Sequence, residues 1–413
     1  MGDRLLNGKR ILLGITGGVA VYKAAALASR LTQAGALVDV VMTEAATRFV
    51  APLTFEAVTR RRVYTDMFFL PSTSQPGADS GELQIPHISL AKAADLLIIA
   101  PATANTLAKL AHGLADNLLS ALALACPAPV LIAPAMESHM WSHPATQANV
   151  AMLIERGATV VGPVSGHLAS GAQGPGRMSE PEEIMESARL LLARAGDWRG
   201  RRVVVTAGGT REAIDPVRFI SNRSSGKMGY ALATAARDRG ACVTLISAAT
   251  TLPDPLGVET IHVESAEQMC QAVLSACTDA DVLAMAAAVA DYCPLTAAEH
   301  KIKKHDERLV LELRRTPDIL MEVARLRTSS GSPRLVVGFA AETQDLLDQA
   351  RAKLERKRLD LIVANDVGAP GSGFGVDTNQ VTLLWADGTV EALPCLPKTE
   401  VAHIIWERVA RLL

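Results

Sequence analysis

A chain of 413 residues is long enough for two or three domains, and its hydrophobic content of 49% supplies a large core for each of them. Aromatic residues make up only 4% of the chain and its formal net charge is −2, which argue against a stacking platform for single-stranded nucleic acid and against a polyanionic polymer as partner. Six scattered cysteines without a C-x-x-C pair, no membrane-length apolar run and no secretion signal predict a cytoplasmic protein with reduced thiols and no membrane partner.

The first half of the chain alternates predicted strands with helical patterns. Short β-branched and aliphatic runs predict strands at Arg10–Ile15, Leu37–Met42, Ala94–Ala100, Val130–Ala133 and Thr159–Val161. Apolar residues at helical spacing predict helices at Thr103–Ala111, Asp116–Ala125, Pro144–Arg156 and Glu182–Ala193. This alternation is typical of an α/β domain with a doubly wound, mostly parallel sheet.

The second half repeats this plan. Strands are predicted at Val203–Thr206, Cys242–Ser247, Val282–Met285, Leu335–Phe339 and Leu361–Asn365. Two more, Val381–Trp385 and Val390–Leu393, flank Asp387-Gly388 and predict a small C-terminal hairpin. We therefore expect one domain over residues 1–194, a linker over 195–200 and a second domain over 201–413. Surface loops are expected at 71–81 and 371–375.

A glycine-rich turn after the first predicted strand indicates a nucleotide site. Gly14-Ile15-Thr16-Gly17-Gly18 lacks the G-x-G-x-x-G spacing, and no acidic residue ends the second strand, where a dinucleotide site holds its ribose. Thr43 stands there instead, and a hydroxyl suits a terminal monophosphate better than a ribose diol. The pattern therefore favours FMN over NAD and disfavours a tandem dinucleotide oxidoreductase.

Three further motifs make the first half resemble the homo-oligomeric flavin-containing cysteine decarboxylases. His87 precedes the run I-S-L-A-K-A-A-D, the segment P-A-T-A-N-T follows the third predicted strand, and P-A-M-E-S-H-M-W follows the fourth. The resemblance implies a flavodoxin-like fold with His87 as the catalytic base. The implied FMN contacts are Gly17, Gly18, Thr43, Thr103, Ala104, Asn105 and Met136.

Two residues depart from the pattern of that family. Glu137 stands where the phosphopantothenoylcysteine branch has an asparagine, and Ser170 stands where a cysteine donates a proton. A serine hydroxyl is a far weaker acid than a thiol, whose ordinary pKa is about 8.5. A carboxylate at position 137 would repel the substrate carboxylate unless it is protonated or turned away. Glu137 and Arg177 are the implied substrate contacts of this half.

A cluster of hydroxyls, one glycine and two cations precedes a helical pattern in the second half, over Ser221–Lys227. A helix N-terminus presents free N–H groups and a positive dipole end, so this stretch favours a polyanion site. Ser224 by itself would indicate only an ordinary N-cap. The motifs T-A-G-G-T-R-E and I-D-P-V-R-F-I-S-N-R-S-S-G-K-M-G, followed by K-I-K-K and G-F-A-A-E-T, resemble phosphopantothenate–cysteine ligase.

The two resemblances together point to the bifunctional phosphopantothenoylcysteine decarboxylase and phosphopantothenate–cysteine ligase family of bacterial coenzyme A biosynthesis. They imply CTP-dependent ligation of 4′-phosphopantothenate to L-cysteine through an acyl-cytidylate, then FMN-dependent decarboxylation of the product to 4′-phosphopantetheine. The alternative is an active ligase joined to an FMN-binding domain that decarboxylates weakly or not at all, because Ser170 and Glu137 depart from the family.

The ligase resemblance also assigns residues and partners. It implies a Rossmann-like second domain in which Asn222 acts on the acyl-cytidylate and Lys301 helps the second step. Mg²⁺ or Mn²⁺ is expected to offset the triphosphate charge, with no metal ligands assigned. Trimeric flavin domains and dimeric ligase domains would build a dodecamer that acts on small molecules and not on nucleic acid. The implied CTP contacts are Asp291, Pro317, Asp318, Ile319, Leu320, Phe339, Lys353 and Lys357.

Overall fold

The structure is a computed structural model that describes residues 4–67, 86–303, 309–342, 346–366, 373 and 375–413. The chain divides into two compact units, Met1–Ala193 and Arg194–Leu413. The predicted loop at 71–81 and most of the one at 371–375 lie outside the described residues. Within those residues, none of the helices has the length and apolar character needed to cross a bilayer.

The first unit is built on a parallel sheet covered by helices. Its strands are β1 (Arg10–Ile15), β2 (Leu37–Met42), β3 (Val63–Tyr64), β4 (Leu96–Ala102), β5 (Val130–Pro134), β6 (Thr159–Val160), β7 (Val164–His167) and β8 (Gln173–Arg177). Its helices are α1 (Val21–Gln33), α2 (Glu44–Thr47), α3 (Pro52–Thr59), α4 (Pro86–Ala93), α5 (Ala104–His112), α6 (Leu118–Ala125), α7 (Ser138–Ser142), α8 (Pro144–Glu155) and α9 (Pro181–Ala193). The sheet order is β3-β2-β1-β4-β5-β6, and β7 and β8 form a separate antiparallel ribbon.

The second unit repeats the doubly wound plan and adds short ribbons. Its strands are β9 (Arg202–Ala207), β10 (Arg211–Ala213), β11 (Phe219–Ser221), β12 (Cys242–Ser247), β13 (Glu259–His262), β14 (Val282–Met285), β15 (Tyr292–Pro294), β16 (Leu313–Arg315), β17 (Leu335–Glu342), β18 (Leu361–Asp366), β19 (Thr378–Asn379), β20 (Val381–Trp385), β21 (Val390–Ala392) and β22 (Leu396–Pro397). Its helices are α10 (Lys227–Asp238), α11 (Ala266–Ala276), α12 (Ile319–Ser330), α13 (Leu346–Lys357) and α14 (Lys398–Val409).

The main sheet of this unit has the order β13-β12-β9-β14-β17-β18-β20-β21. Its strands pair in parallel from β13 to β18, whereas β20 and β21 pair antiparallel at the edge. The predicted C-terminal hairpin is therefore present and extends the main sheet. Three two-stranded antiparallel ribbons, β10–β11, β15–β16 and β19–β22, lie outside that sheet.

The central strands are continuous apolar runs because helices cover both faces of each sheet. All seven residues of β4 are buried, as are all four of β14. Aspartates that precede strands in the second unit tie their amino ends to the neighbouring strand. Asp281 accepts a hydrogen bond from the Arg202 N–H at 2.9 Å, and Asp360 accepts one from the Val336 N–H at 2.7 Å.

The predicted α/β fold class is confirmed in both halves, and the main errors concern helix starts and ribbons. The helix predicted from Asp116 begins at Leu118, because the Asn117 side chain and Ser120 form a reciprocal capping box. Thr103 likewise caps α5 instead of lying within it. Periodicity alone did not predict the antiparallel ribbons, which are short and mostly polar.

Candidate active sites

In the first unit the winding of the sheet reverses between β1 and β4, which opens a crevice at the carboxyl ends of the strands. Buried Thr16, which follows β1, joins the two loops that border this crevice. Its hydroxyl donates to the Pro101 carbonyl at 2.7 Å and accepts from the Thr103 N–H at 3.1 Å. These bonds hold the glycine-rich turn against the start of α5.

A cavity of about 540 Å³ opens at these strand ends. Gly17 belongs to its wall, and a Cβ there would lie 2.4 Å from the Ala45 Cβ and 2.8 Å from the Ala45 carbonyl carbon. Only a glycine fits this close approach, which leaves the backbone of the turn open to a ligand. The predicted site residues that line the cavity are Gly17, Gly18, Thr103, Ala104, Met136, Glu137, Ser170 and Arg177.

Three predicted residues of this half do not line the cavity. The Thr43 hydroxyl caps α2 by accepting from the Ala46 N–H at 3.3 Å, and Asn105 is exposed in the first turn of α5. His87 lies at the start of α4, and its buried Nδ1 has no hydrogen-bond partner among the described residues. The cavity of one chain is thus formed without its own His87.

Glu137 lies in the wall of the cavity, and its carboxylate takes part in a local hydrogen bond. Its Oε2 accepts from the His139 N–H at 2.6 Å, so the carboxylate serves as the N-cap of α7. A negative charge is stabilised there because it faces the free N–H groups of the first turn.

The β7–β8 ribbon carries Ser170 across the cavity. Ser170 lies in the exposed turn of the ribbon, where its hydroxyl accepts weakly from the Ala172 N–H at 3.5 Å. Buried Lys23 holds the far end of the ribbon by donating to the Met178 carbonyl and to Glu180, each at 2.9 Å. The hydrogen bond from Lys23 lowers the pKa of Glu180.

In the second unit Asn222 follows β11 and reaches the loop after β14. Its Nδ2 donates to the Ala288 carbonyl at 3.1 Å and to the Val289 carbonyl at 3.2 Å. These carbonyls lie at the carboxyl end of the sheet, beside the reversal between β9 and β14. Asn222 therefore lies where a nucleotide site is expected in this fold.

The N-cap of α10 is Gly226, with φ of +78°, and not Ser224. The Ser224 hydroxyl accepts from the Gly226 N–H at 3.4 Å and so supports the turn before the helix. Lys227 opens the helix and pairs with Asp377 at 2.7 Å. One of the two cations of this stretch, Lys227, thus has a carboxylate partner within the chain.

Five predicted CTP contacts lie close together around the start of α12 and one face of α13. They are Asp291, Asp318, Phe339, Lys353 and Lys357. Lys357 forms an ion pair with Asp318, which also caps α12, and Lys353 donates to the Phe339 carbonyl at 2.7 Å. Burial lowers the pKa of Lys357, while the nearby charge of Asp291 raises it.

The remaining predicted contacts differ in accessibility. The side chains of Ile319 and Leu320 are buried in the core, so only their backbone can face a ligand. Pro317 lines a different cavity of about 520 Å³. Lys301 is exposed, and within the described part of the chain its side chain forms no hydrogen bond or ion pair.

Comparisons with known proteins show the family to which this chain belongs. Residues 3–192 match the family model described as Flavoprotein, and residues 198–413 match the DNA/pantothenate metabolism flavoprotein C-terminal domain. The chain is 49% identical to the coenzyme A biosynthesis bifunctional protein CoaBC of Bacillus subtilis over 411 residues, which cover 99% of this chain and 98% of that protein. This chain belongs to the CoaBC family.

Another curated relative and a solved structure are also similar to this chain. CoaBC of Vibrio cholerae is 47% identical over 410 residues, covering 98% of this chain and 99% of that protein. A crystal structure of the C-terminal domain of a CoaBC protein is 42% identical, covers 52% of this chain and 96% of that chain, and has a TM-score of 0.44. The family predicted from the motifs is confirmed, and the chain is a bifunctional enzyme of coenzyme A biosynthesis.

The β7–β8 ribbon of this CoaBC chain was not predicted from the sequence, although its glycines indicate a close approach of two backbone segments. Gly176 has φ of +144°, and a Cβ there would lie 2.2 Å from the Met136 carbonyl oxygen. The Met136 N–H in turn donates to the Gly176 carbonyl at 2.9 Å. This close approach fixes the ribbon to the end of β5, and only a glycine allows it.

We predict that Gly176→Ala detaches the ribbon from the end of β5, because the new Cβ would overlap the Met136 carbonyl. Limited proteolysis should then cleave residues 168–172 faster than in the unchanged protein. Gly166→Ala is the matched control, since a Cβ there meets only Arg177 at 3.5 Å. Equal cleavage rates in the two variants would contradict this account.

Proposed function

We propose that the chain ligates 4′-phosphopantothenate to L-cysteine with CTP and then decarboxylates the product to 4′-phosphopantetheine with FMN. The observation that carries this proposal is the presence of two separate sites at strand ends, one in each unit. Each site contains residues that match the motifs of one half of the family. The domain expected over residues 1–194 is assigned to decarboxylation, and the domain expected over 201–413 is assigned to ligation.

The cavity of the first unit suits FMN in size and in shape. Its volume of about 540 Å³ lies within the usual range for cofactor sites. The open backbone at Gly17 and Gly18 would receive the phosphate, with Thr103 beside it and Met136 also in the cavity wall. FMN supplies reversible hydride acceptance when bound, which gives the decarboxylation the electron sink that a cysteinyl amide lacks.

A second copy of the chain completes the decarboxylase site in this proposal. Val19 and Tyr22 line the cavity and are 59% and 61% exposed, so apolar surface beside the cavity is open to a partner. A neighbouring copy would cover them and bring its own His87, whose Nδ1 lacks a partner among the described residues. We infer trimeric flavin units, dimeric ligase units and a dodecamer.

The second unit activates a carboxylate in this proposal. The carboxylate of 4′-phosphopantothenate first attacks the α-phosphate of CTP, which forms the acyl-cytidylate and releases pyrophosphate. Asn222 acts on this intermediate, and the cysteine amine then attacks its carbonyl with help from Lys301, which forms the amide and releases CMP. Lys353, Lys357 and Mg²⁺ or Mn²⁺ offset the triphosphate charge. Among the described residues, no three histidine, cysteine, aspartate or glutamate side chains lie close enough together to hold a metal ion. Mg²⁺ usually takes most of its ligands from phosphate and water.

The test is a coupled assay on the purified protein with CTP, 4′-phosphopantothenate and cysteine. We expect yellow protein, release of pyrophosphate and release of carbon dioxide. Accumulation of the cysteinyl adduct without carbon dioxide would favour the alternative of a weak or inactive decarboxylase. Colourless protein that does not prefer CTP over other nucleotides would overturn the proposal.

We predict that Asn222→Asp stops ligation and spares flavin binding. A carboxylate cannot donate to the Ala288 and Val289 carbonyls and repels them, so the side chain leaves its position. The loss of one positioned donor is expected to slow ligation about 100-fold or more. Pyrophosphate release measures ligation, and absorbance in the visible range measures bound flavin. Loss of colour would contradict separate sites.

We predict that Ser170→Cys keeps or raises the decarboxylation rate, because a thiol is the stronger acid. The rate of carbon dioxide release from 4′-phosphopantothenoyl-L-cysteine measures the effect. Ser170→Ala is the matched control, because it removes the hydroxyl without adding an acid. A large fall in the cysteine variant would show that the serine hydroxyl has a role of its own.

A further inference from the structure

The turn between β10 and β11 holds a carboxylate with more partners than a turn requires. Asp215 has a fully buried side chain, and its Oδ1 accepts from the Val217 N–H and the Arg218 N–H, each at 2.9 Å. Those two bonds suffice for an Asx-type turn. Its Oδ2 accepts from the Arg218 Nε at 2.9 Å and from the Ile302 N–H at 3.1 Å. These bonds hold the pKa of Asp215 well below its usual range.

Two hydrogen bonds of the Asp215–Arg218 pair reach outside the turn, and both are made with the backbone of Ile302. Arg218 donates from Nη2 to the Ile302 carbonyl at 2.8 Å, so both backbone polar groups of Ile302 are held by the Asp215–Arg218 pair. A further bond, from the Ala298 N–H to the Ile214 carbonyl at 2.9 Å, fixes the same segment to the same turn. Ile302 directly follows Lys301.

The other end of the same ribbon leads to Asn222. Only Phe219–Ser221, the strand β11, separates Arg218 from Asn222. The Asn222 amide is anchored in turn on the carbonyls of Ala288 and Val289. The β10–β11 ribbon is thus a rigid connection between Asn222 and the backbone that carries Lys301.

We propose that Asp215 and Arg218 are positioning residues of the ligase reaction, which set Lys301 relative to Asn222 by holding the backbone of Ile302. This inference rests on the proposed function, because it takes the roles of Lys301 and Asn222 from there. The Lys301 side chain remains exposed, so the pair restrains the backbone of the residue and leaves its ammonium group available to substrate.

The test begins with Asp215→Asn in the full chain. The amide oxygen can still accept from the Val217 and Arg218 N–H groups, so the turn is kept. The amide nitrogen cannot accept from Ile302, so the bond to the Lys301 segment is lost. We expect the kcat of ligation to fall roughly 10- to 100-fold, as misplaced catalytic groups do. The KM for 4′-phosphopantothenate should stay within about twofold.

A double-mutant cycle with Lys301→Gln separates positioning from general damage. If Asp215 acts through Lys301, the double variant should be at most about twofold slower than Lys301→Gln alone. If the kcat losses of the two single variants multiply in the double variant, the inference is overturned and the proposed function stays in place. Full ligase activity of Lys301→Gln would contradict the proposed role of Lys301 itself, and the inference with it.

Asp360→Asn is the matched control for loss of stability. Asp360 also accepts a backbone N–H, from Val336 at 2.7 Å, and pairs with Arg327, but it lies at the amino end of β18. Its replacement should lower the midpoint of thermal unfolding and leave kcat within about twofold. An equal fall of kcat in both variants would overturn the inference.

Discussion

The reversal of winding at the first strand of each sheet is the constraint on which both sites depend. Parallel pairing brings the carboxyl ends of the strands to one edge, and the reversal leaves a crevice between the loops that follow them. A buried threonine ties the two loops together in each unit. Thr16 binds the backbone of Pro101 and Thr103, and in the second unit the hydroxyl of Thr210, which follows β9, accepts from the Ala290 N–H at 2.9 Å. The crevices therefore have fixed walls.

The sheets could be predicted from the sequence, whereas the ribbons that complete the sites could not. The strands β1, β2, β12 and β14 have the predicted bounds because aliphatic and β-branched residues dominate each of these short runs. The ribbons β7–β8, β10–β11 and β15–β16 pair only three to five residues per strand. Their side chains are mostly exposed, so they carry no alternating pattern.

Single residues at strand ends are ambiguous for a physical reason. Thr43 follows a strand and was predicted as a phosphate contact, but its hydroxyl also suits the start of a helix and is used as the cap of α2. Asp215 shows the opposite case. It belongs to a motif that was recognised, yet its contact with Ile302 spans 87 positions and only folding reveals it. Spacing along a chain cannot supply such contacts.

The cations of the second site mostly have internal partners already. Lys357 pairs with Asp318, and Lys227 pairs with Asp377. A half-buried ammonium group is costly without a counter-charge, so these carboxylates stabilise the site before any substrate enters. Under the proposed function a triphosphate must displace or share these carboxylates, and a metal ion offsets the remaining charge. Lys301 differs because, across the described residues, its backbone segment is held while its ammonium group makes no ion pair. Under the proposed function, a cation of that kind acts on a reacting group without first giving up an internal partner, and the placement of its backbone is then expected to set the rate.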